Sequence, residues 1–297
     1  MPHDDFIVPE LLPPSEDGVF KTLMTHPEAK PVLRDVVESY LCFPVTTVNV
    51  RNVELPISDI NEKRERFDVN CTVNDGSQLD VEMQADPMVG DSLRTSHKIV
   101  KARAIYHLCD LHSGQDGRSI RYDQLLRSYQ MTLCGYTVYP TRKEFIRRFS
   151  FRDETGEELS DAVGIILVEL TKLGDVIKKP VETMTGEEIW SAFFAYASDP
   201  KYRELIHKLI KVRREIKMAS ELLQSISKDE IERAHFRSRR MFRMDIEHNR
   251  LATLDEGGDA RAMTIAKNLL GMDLPLNKIV EATGLTALEV EKLRNTN

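Results

Sequence analysis

The spacing of apolar residues changes along the chain, and each change predicts a different kind of element. After a proline-rich leader, apolar positions follow helical spacing from Asp17 and resume it beyond Pro31, which predicts two short helices. From Val45 to Gln84 the spacing shortens to two and β-branched residues are frequent, which predicts strands. Residues 93–112 return to helical spacing, which predicts one amphipathic helix.

Strand patterns recur in the middle of the chain and then disappear. They lie at residues 128–139, 144–151 and 163–170, and the last run is almost continuously apolar, as expected for a strand covered on both faces. Beyond about Thr171 helical spacing dominates. The patterns therefore predict an α/β domain at residues 10–178, a helical region at 179–254 and a small helical tail at 255–297.

Composition and charge limit the class of protein without choosing a function. The chain has 297 residues, 41% hydrophobic and 30% charged, which is enough to bury a large core. It has no run of about 18 apolar residues and no secretory signal, so we expect a cytoplasmic protein without a membrane partner. The net charge of −7 is uneven, because residues 1–90 hold 17 acidic and 7 basic residues, whereas residues 201–250 hold 14 basic and 8 acidic. A basic region of this kind is either a solvated helix or a phosphate-binding face.

The most informative segment is residues 67–84, which predicts a hairpin. The apolar members of its two strands are Phe67, Val69, Cys71 and Val73, then Leu79, Val81 and Met83. Both sets meet the same core only if paired residue numbers sum to an even number. A three-residue loop with Gly76 in the left-handed conformation satisfies this condition. The resulting register pairs Val69 with Val81 and places Asp68 directly opposite Glu82.

Two opposed carboxylates need a physical explanation. Like charges paired across a sheet are unfavourable by up to about 1 kcal/mol unless a proton or a cation lies between them. A hard divalent cation such as Mg²⁺ fits, since it binds one or two protein carboxylates together with waters and phosphate. The alternative is the solvent face of an ordinary hairpin, with Asp68 and Glu82 both in water. The pattern alone leaves both interpretations open.

The spacing of Asp68, Glu82 and Gln84 resembles the D…(D/E)-x-K core of PD-(D/E)XK nucleases, in the variant that ends in Gln. More specifically, the chain is similar to the Rpn family of recombination-promoting nucleases, also described as PD-(D/E)XK transposases. The segments that carry this similarity are Asp17 to Lys21 (D-x-x-F-K), residues 168–173 (E-L-x-K) and residues 189–194 (W-x-x-F). The resemblance spans most of the chain. It implies a restriction-endonuclease-like α/β core with a mixed sheet, followed by a helical C-terminal region.

The resemblance also implies a function, namely a DNA endonuclease that depends on Mg²⁺ or Mn²⁺ and is linked to recombination or mobile elements. Asp68 and Glu82, with the backbone carbonyl of Met83, would hold the metal, which lowers the pKa of a bound water. Gln84 stands where the usual motif has lysine, so it can orient a water but carries no charge. Either Gln84 works as it stands, or Lys21 supplies the charge from the N-terminal helix.

Three further polar residues have alternative roles. Asp17 can be the N-cap of the helix that follows it or a third metal ligand. For Glu169 and Lys172 we expect a salt bridge at the end of a strand in preference to a catalytic role.

Two basic clusters are candidate DNA contacts. The first cluster is Arg94, Lys98 and Lys101, which share one face of the helix at residues 93–112. The apolar stripe of the same helix is predicted at Leu93, Ile99, Ala102, Ile105, Tyr106 and Cys109. The second cluster is Arg233, Arg237, Arg239, Arg240 and Arg243. Both clusters can bind phosphates without reading sequence, or can be solvated faces. Residues 277–294 have a helix-turn-helix outline, but their charges cancel, which favours packing or dimerisation over DNA binding.

Two other functions remain open at this point. The missing motif lysine and the net acidity are compatible with a catalytically weak or inactive DNA-binding protein that keeps the nuclease fold. Metal and carboxylates also act on RNA, so only the resemblance favours DNA. A homodimer is expected from the reaction alone, since cutting both strands of a duplex usually needs two active sites.

Overall fold

The protein is described by a computed structural model over residues 11–51, 69–74, 76–85, 93–115, 121–229, 262–270, 275–283, 285 and 287–294. The chain forms two compact units, Met1–Phe236 and Arg237–Asn297. The division into three regions that the sequence predicts, with boundaries near residues 178 and 254, stays a prediction.

The first unit is a mixed sheet with helices on both faces. Its described helices are α1 (Asp17–Thr25), α2 (Lys30–Leu41), α3 (Leu93–Ser113), α4 (Gly186–Tyr196), α5 (Arg203–Val212) and α6 (Arg214–Lys228). Its described strands are β1 (Val48–Val50), β2 (Val69–Val73), β3 (Ser77–Gln84), β4 (Ser128–Cys134), β5 (Ile146–Arg152) and β6 (Glu158–Glu169). The strand order is β1-β2-β3-β4-β6-β5, and β3, β4 and β6 run parallel to one another. This architecture confirms the predicted α/β fold class with a mixed sheet.

The predicted hairpin register is confirmed wherever the structure describes it. Val69 pairs with Val81 and Cys71 with Leu79. Gly76 has a φ of 103°, the left-handed conformation that the three-residue loop requires. Asp68 lies outside the described residues, so its position opposite Glu82 stays a prediction.

The two faces of the sheet differ in chemistry. One face packs against α1, α2, α4 and α6 in the main apolar core, to which Val81, Met83 and Trp190 belong. The helices after residue 179 therefore share a core with the strands. The opposite face is covered by α3, and there β3 presents two acidic residues, Asp80 and Glu82, to that helix. A polar layer consequently lies between the sheet and α3.

The apolar stripe predicted for α3 is wrong. Ile105 and Tyr106 are 55% and 61% exposed, whereas Val100, Ala104 and Leu108 are buried. The physical reason is the polar sheet face beneath the helix, which favours a rotation of α3 that buries His107 together with the apolar residues Val100, Ala104 and Leu108. With Ile105 and Tyr106 in place of Arg103 and His107, the buried acids of the sheet would lose these partners.

The apolar run of β6 is buried in only part of the strand. Residues 166–169 are buried, while the strand begins in exposed positions from Glu158 onwards. β6 pairs with β4 from Val163, and its earlier residues pair with β5 alone. The expected cover on both faces concerned residues 163–170: it is correct for residues 166–170, which are buried, whereas residues 163–165 are only half-buried.

The second unit is helical where it is described. Residues 262–270 form α7, which is followed by α8 (Leu276–Thr283) and α9 (Ala287–Arg294). Its small core includes Ala266, Ile279 and Val290. The two predicted tail helices are confirmed. Within the described part of the chain, no helix combines the length and apolar character needed to cross a bilayer.

Candidate active site

The candidate site lies at the carboxyl ends of the parallel strands. Gln84 in β3 is in register with Cys134 in β4, which is in register with Glu169 in β6. The chain leaves β4 through Gly135, whose N–H donates to the Gln84 carbonyl at 2.8 Å. A Cβ atom at Gly135 would lie 2.4 Å from the carbonyl oxygen of Ala85. Only glycine therefore allows the two backbones to approach so closely beside the site.

Glu82 is the central acid of the site. It is 1% exposed, and its Oε1 accepts a hydrogen bond from Gln84 Nε2 at 2.6 Å. The same oxygen forms an ion pair with Arg103 Nη2 at 2.6 Å. Burial raises the pKa of Glu82, and the positive charges of Arg103 and His107 oppose that rise. The solvent-face interpretation is consequently wrong for Glu82.

A second acid, Asp80, lies two residues earlier on the same face of β3 and is fully buried. Neither of its oxygens accepts a hydrogen bond of ordinary geometry from the described residues. His107 Nδ1 lies 3.5 Å from Asp80 Oδ2 and 3.9 Å from Glu82 Oε2. Burial raises the pKa of Asp80, and its contact with His107 opposes the rise. Burial lowers the pKa of His107, but the contact with Asp80 and the charge of Glu82 outweigh it, so this pKa is raised.

Asp17 links the N-terminal helix to the end of β3. It is the first residue of α1, and the N-cap position belongs to Glu16. Asp17 Oδ1 accepts a hydrogen bond from the backbone N–H of Ala85 at 3.1 Å. The N-cap interpretation is therefore wrong, and the side chain lies at the residue that follows Gln84.

Tyr136 belongs to the same neighbourhood. It is 7% exposed, and its hydroxyl has no hydrogen-bond partner among the described residues. Burial is the main cause of its raised pKa; nearby Cys134, Glu82 and Asp17 raise it further, and Arg103 lowers it. The phenol therefore keeps its proton and lies within electrostatic range of Glu82, Arg103 and Asp17.

The comparisons with known proteins agree with this geometry. Residues 14–252 match the family described as PD-(D/E)XK nuclease family transposase. The chain belongs to this family. Neither a curated protein nor a solved structure matches the chain. The family match over residues 14–252 therefore agrees with the resemblance of Glu82 and Gln84 to the D…(D/E)-x-K core.

The remaining residues of the predicted PD-(D/E)XK motif are only partly described. Met83 is buried in the main core, and its backbone is in register with Leu133 of β4. Lys21 is half-buried on α1, and its ammonium group makes no hydrogen bond or ion pair with any described residue. Asp68 lies outside the described residues. The roles proposed for these three residues stay predictions.

The predicted DNA contacts are also partly described. Lys98 is exposed on α3, and Lys101 Nζ lies 4.0 Å from the centroid of the Tyr139 ring. Arg94 belongs to α3, but its side chain is outside the description. The cluster Arg233, Arg237, Arg239, Arg240 and Arg243 lies outside the described residues. DNA binding by either cluster is untested.

Glu169 has a structural role at the same end of the sheet. Its Oε1 accepts hydrogen bonds from the backbone N–H groups of Val138 and Tyr139 at 2.6 and 2.9 Å. Its Oε2 pairs with Lys172 Nζ at 2.7 Å, which confirms the predicted salt bridge. This buried carboxylate therefore holds the segment that follows β4 against the end of β6.

The donor chemistry of Glu82 suits a hard divalent cation. Buried carboxylate oxygens whose pKa is raised by burial gain more from a bound cation than exposed ones do, and Mg²⁺ prefers oxygen ligands. Over the described ranges, no group of three or more His, Cys, Asp or Glu is arranged to hold a metal. Glu82 fits such an ion, and its predicted partner Asp68 lies outside those ranges.

Sequence reasoning missed four residues of this site. Asp80 shares the alternation of Glu82, so the pattern already placed both acids on one face. Arg103 and His107 are four residues apart and flank the heptad-like spacing of Val100, Ala104, Leu108 and Leu111. This second apolar spacing lies on a different side of the helix from Ile105 and Tyr106. It is the sequence feature that could have placed Arg103 and His107 on the buried side of α3. Tyr136 has no local signal, because only the sheet register brings it near Glu82.

Proposed function

We propose that the protein is a metal-dependent endonuclease that hydrolyses phosphodiester bonds of DNA and uses Mg²⁺ or Mn²⁺. The observation that carries this proposal is Glu82, a buried carboxylate near the carboxyl end of an interior strand, with Gln84 bound to it. Its supporting context is the membership of the chain in the PD-(D/E)XK family.

The residues would share the work as follows. A bound divalent cation lowers the pKa of its water and stabilises charge on the phosphate. Asp68, Glu82 and the Met83 carbonyl would hold it, and Asp17 is a candidate third acid because its side chain lies at Ala85. Gln84 donates its amide N–H to Glu82, which leaves its amide oxygen to accept a hydrogen bond from the attacking water.

The reaction adds water across one bond of the DNA backbone. The water oxygen bonds to phosphorus, and the bond from phosphorus to the leaving sugar oxygen breaks. The water loses a proton to solvent, and the leaving oxygen takes one up, which gives a phosphate monoester and a hydroxyl group.

Binding of DNA would rest on basic side chains around this site. Lys98 is exposed on α3, the same helix that covers Glu82, so it can meet the DNA backbone near the reacting phosphate. We assign Arg94, Lys101 and the arginines between 233 and 243 the same kind of contact. The proposal includes a link to recombination or mobile elements and a cytoplasmic location. It also includes a homodimer, because cutting both strands of a duplex usually needs two active sites.

The test is cleavage of supercoiled plasmid by the purified chain with Mg²⁺ or Mn²⁺, with EDTA as the metal-free control. Asp68→Ala and Glu82→Gln should remove nicked and linear products. Glu204→Gln is the matched control, because Glu204 is exposed and, among the described residues, forms an ion pair with Lys208 alone. Cutting by Asp68→Ala at the parental rate would show that the assigned site is wrong.

A catalytically weak or inactive DNA-binding protein is the second candidate. The observation in its favour is that Gln84 lacks the motif charge and that Glu82 is already paired with Arg103. A folded protein that binds DNA but cuts it with neither Mg²⁺ nor Mn²⁺ would support this candidate. The first variant to test for restored cutting is then Gln84→Lys. An RNA substrate of matched length in the same assay distinguishes a ribonuclease.

A further inference from the structure

The usual motif places a positive charge at its third position, and this chain has Gln84 there. We propose that Arg103 supplies this charge from α3 and that its guanidinium contacts the reacting phosphate. Arg103 would then be a further catalytic residue. This inference rests on the proposed nuclease function.

The contacts of Glu82 support the assignment. Arg103 Nη2 and Gln84 Nε2 each lie 2.6 Å from the same atom, Glu82 Oε1. Two donors that converge on one oxygen occupy neighbouring positions beside it. The guanidinium therefore lies where the side chain of the third motif residue also reaches.

Arg103 keeps donors for a ligand. Its side chain is 22% accessible, whereas that of Glu82 is 1% accessible. Arg103 Nε and the hydroxyl of Tyr136 are both buried, and neither has a hydrogen-bond partner among the described residues. A guanidinium stays charged at every ordinary pH and can bind phosphate with two parallel hydrogen bonds. The site thus holds unused donors beside a buried acid.

The packing of α3 holds this arginine in place. His107 is one turn further along the helix, and its ring lies 3.5 Å from Asp80 and 3.9 Å from Glu82. Arg103 and His107 therefore face the same strand from successive turns. This second contact fixes the rotation of the helix that brings the guanidinium to Glu82.

Lys101 and Lys21 are less suited than Arg103 to supply the positive charge beside Glu82. Among the described residues, Arg103 is the only lysine or arginine within salt-bridge distance of Glu82. Lys101 lies over the Tyr139 ring. The ammonium of Lys21, the candidate from the sequence, makes no ion pair with a described residue. The geometry therefore favours Arg103 over Lys21.

The experiment measures single-turnover cleavage of plasmid at saturating Mg²⁺ by Arg103→Gln, Arg103→Lys, Lys21→Gln and the double variant Arg103→Gln with Gln84→Lys. Arg121→Gln is the control, since the Arg121 side chain is 75% exposed and its one ion pair within the described ranges is with Asp123. DNA affinity in Ca²⁺ and thermal melting are recorded for each variant. We expect Arg103→Gln to slow cleavage by about 10²- to 10³-fold, the usual effect of losing one donor to a developing charge.

The double variant separates a catalytic from a structural role. A lysine at position 84 restores charge at the site without restoring the α3 contact, so it should recover at least about tenfold of the lost rate. Arg103→Lys should fall between the parent and Arg103→Gln. DNA affinity should change less than the cleavage rate, because the lost interaction acts on the transition state.

Several results would overturn the inference. Cleavage by Arg103→Gln within about threefold of the parent would do so, as would a large loss in Lys21→Gln with Arg103→Gln unaffected. A lower melting temperature for Arg103→Gln without any recovery by Gln84→Lys would show a structural role instead. If the parent itself does not cut with Mg²⁺ or Mn²⁺, the proposed function fails and the inference falls with it.

Discussion

Replacing His107 by leucine tests how much the polar contacts beneath α3 contribute to the free energy of unfolding. His107 is buried, and its Nδ1 lies 3.5 Å from Asp80 Oδ2 and 3.9 Å from Glu82 Oε2. Removing one partner of a buried charge pair costs about 3–5 kcal/mol, because the other charge is left without compensation. The contact is longer than a direct hydrogen bond, and Arg103 remains beside Glu82. We therefore expect a loss of about 3 kcal/mol in the free energy of unfolding.

The same substitution should cost much less once Asp80 is neutral. In an Asp80→Asn background the remaining acid beside the imidazole is Glu82, which keeps its ion pair with Arg103. His107→Leu should therefore cost about 1 kcal/mol there, the value of an ordinary buried polar change. The two substitutions should then show a coupling energy of about 2 kcal/mol, within the range for residues in contact.

Urea denaturation followed by tryptophan fluorescence measures both quantities. The chain has one tryptophan, Trp190, and it is buried in the main core of the first unit. The signal therefore reports this unit alone, and an unchanged denaturant slope shows that only stability has changed. A cost below about 1 kcal/mol for His107→Leu, or an equal cost in both backgrounds, would refute the assignment of an interacting charged pair.

Three further predictions concern protons, backbone packing and DNA. Because the pKa values of Asp80, Glu82 and His107 are all raised, the folded state binds more protons than the unfolded state. The metal-free melting temperature should therefore fall as the pH rises from about 5 to about 8, and Mg²⁺ should raise it more at the higher pH; the opposite slope would contradict these pKa directions. Gly135→Ala should destabilise the first unit by about 1–3 kcal/mol in the Trp190 assay, since its Cβ meets the Ala85 carbonyl oxygen at 2.4 Å; an effect below a few tenths of a kcal/mol would mean that the backbones separate freely. Lys98→Gln should weaken binding equally for unrelated DNA sequences and lower the salt dependence by about one counterion; a loss confined to one sequence would argue against a phosphate contact.

Local pattern was sufficient for much of the fold and for part of the site. Alternation in residues 67–84 predicted the hairpin register, because a slip of one residue would expose the whole apolar set of a strand. It also placed Glu82 and Gln84 on one face, where they are joined by a hydrogen bond. The helical spacing around Phe20 and Val36 likewise predicted α1 and α2, because each helix buries one apolar side.

The tertiary structure decided which element packs against each face of the strands and helices. The sequence by itself determined that Glu82 lies on the polar face of its strand, but both water and a helix are possible neighbours of such a face. The packing of α3 made Glu82 a buried acid, and it also turned Arg103 and His107 inward in place of Ile105 and Tyr106. Contacts between elements far apart in sequence depend on shape and charge at both surfaces, and periodicity describes only one surface at a time.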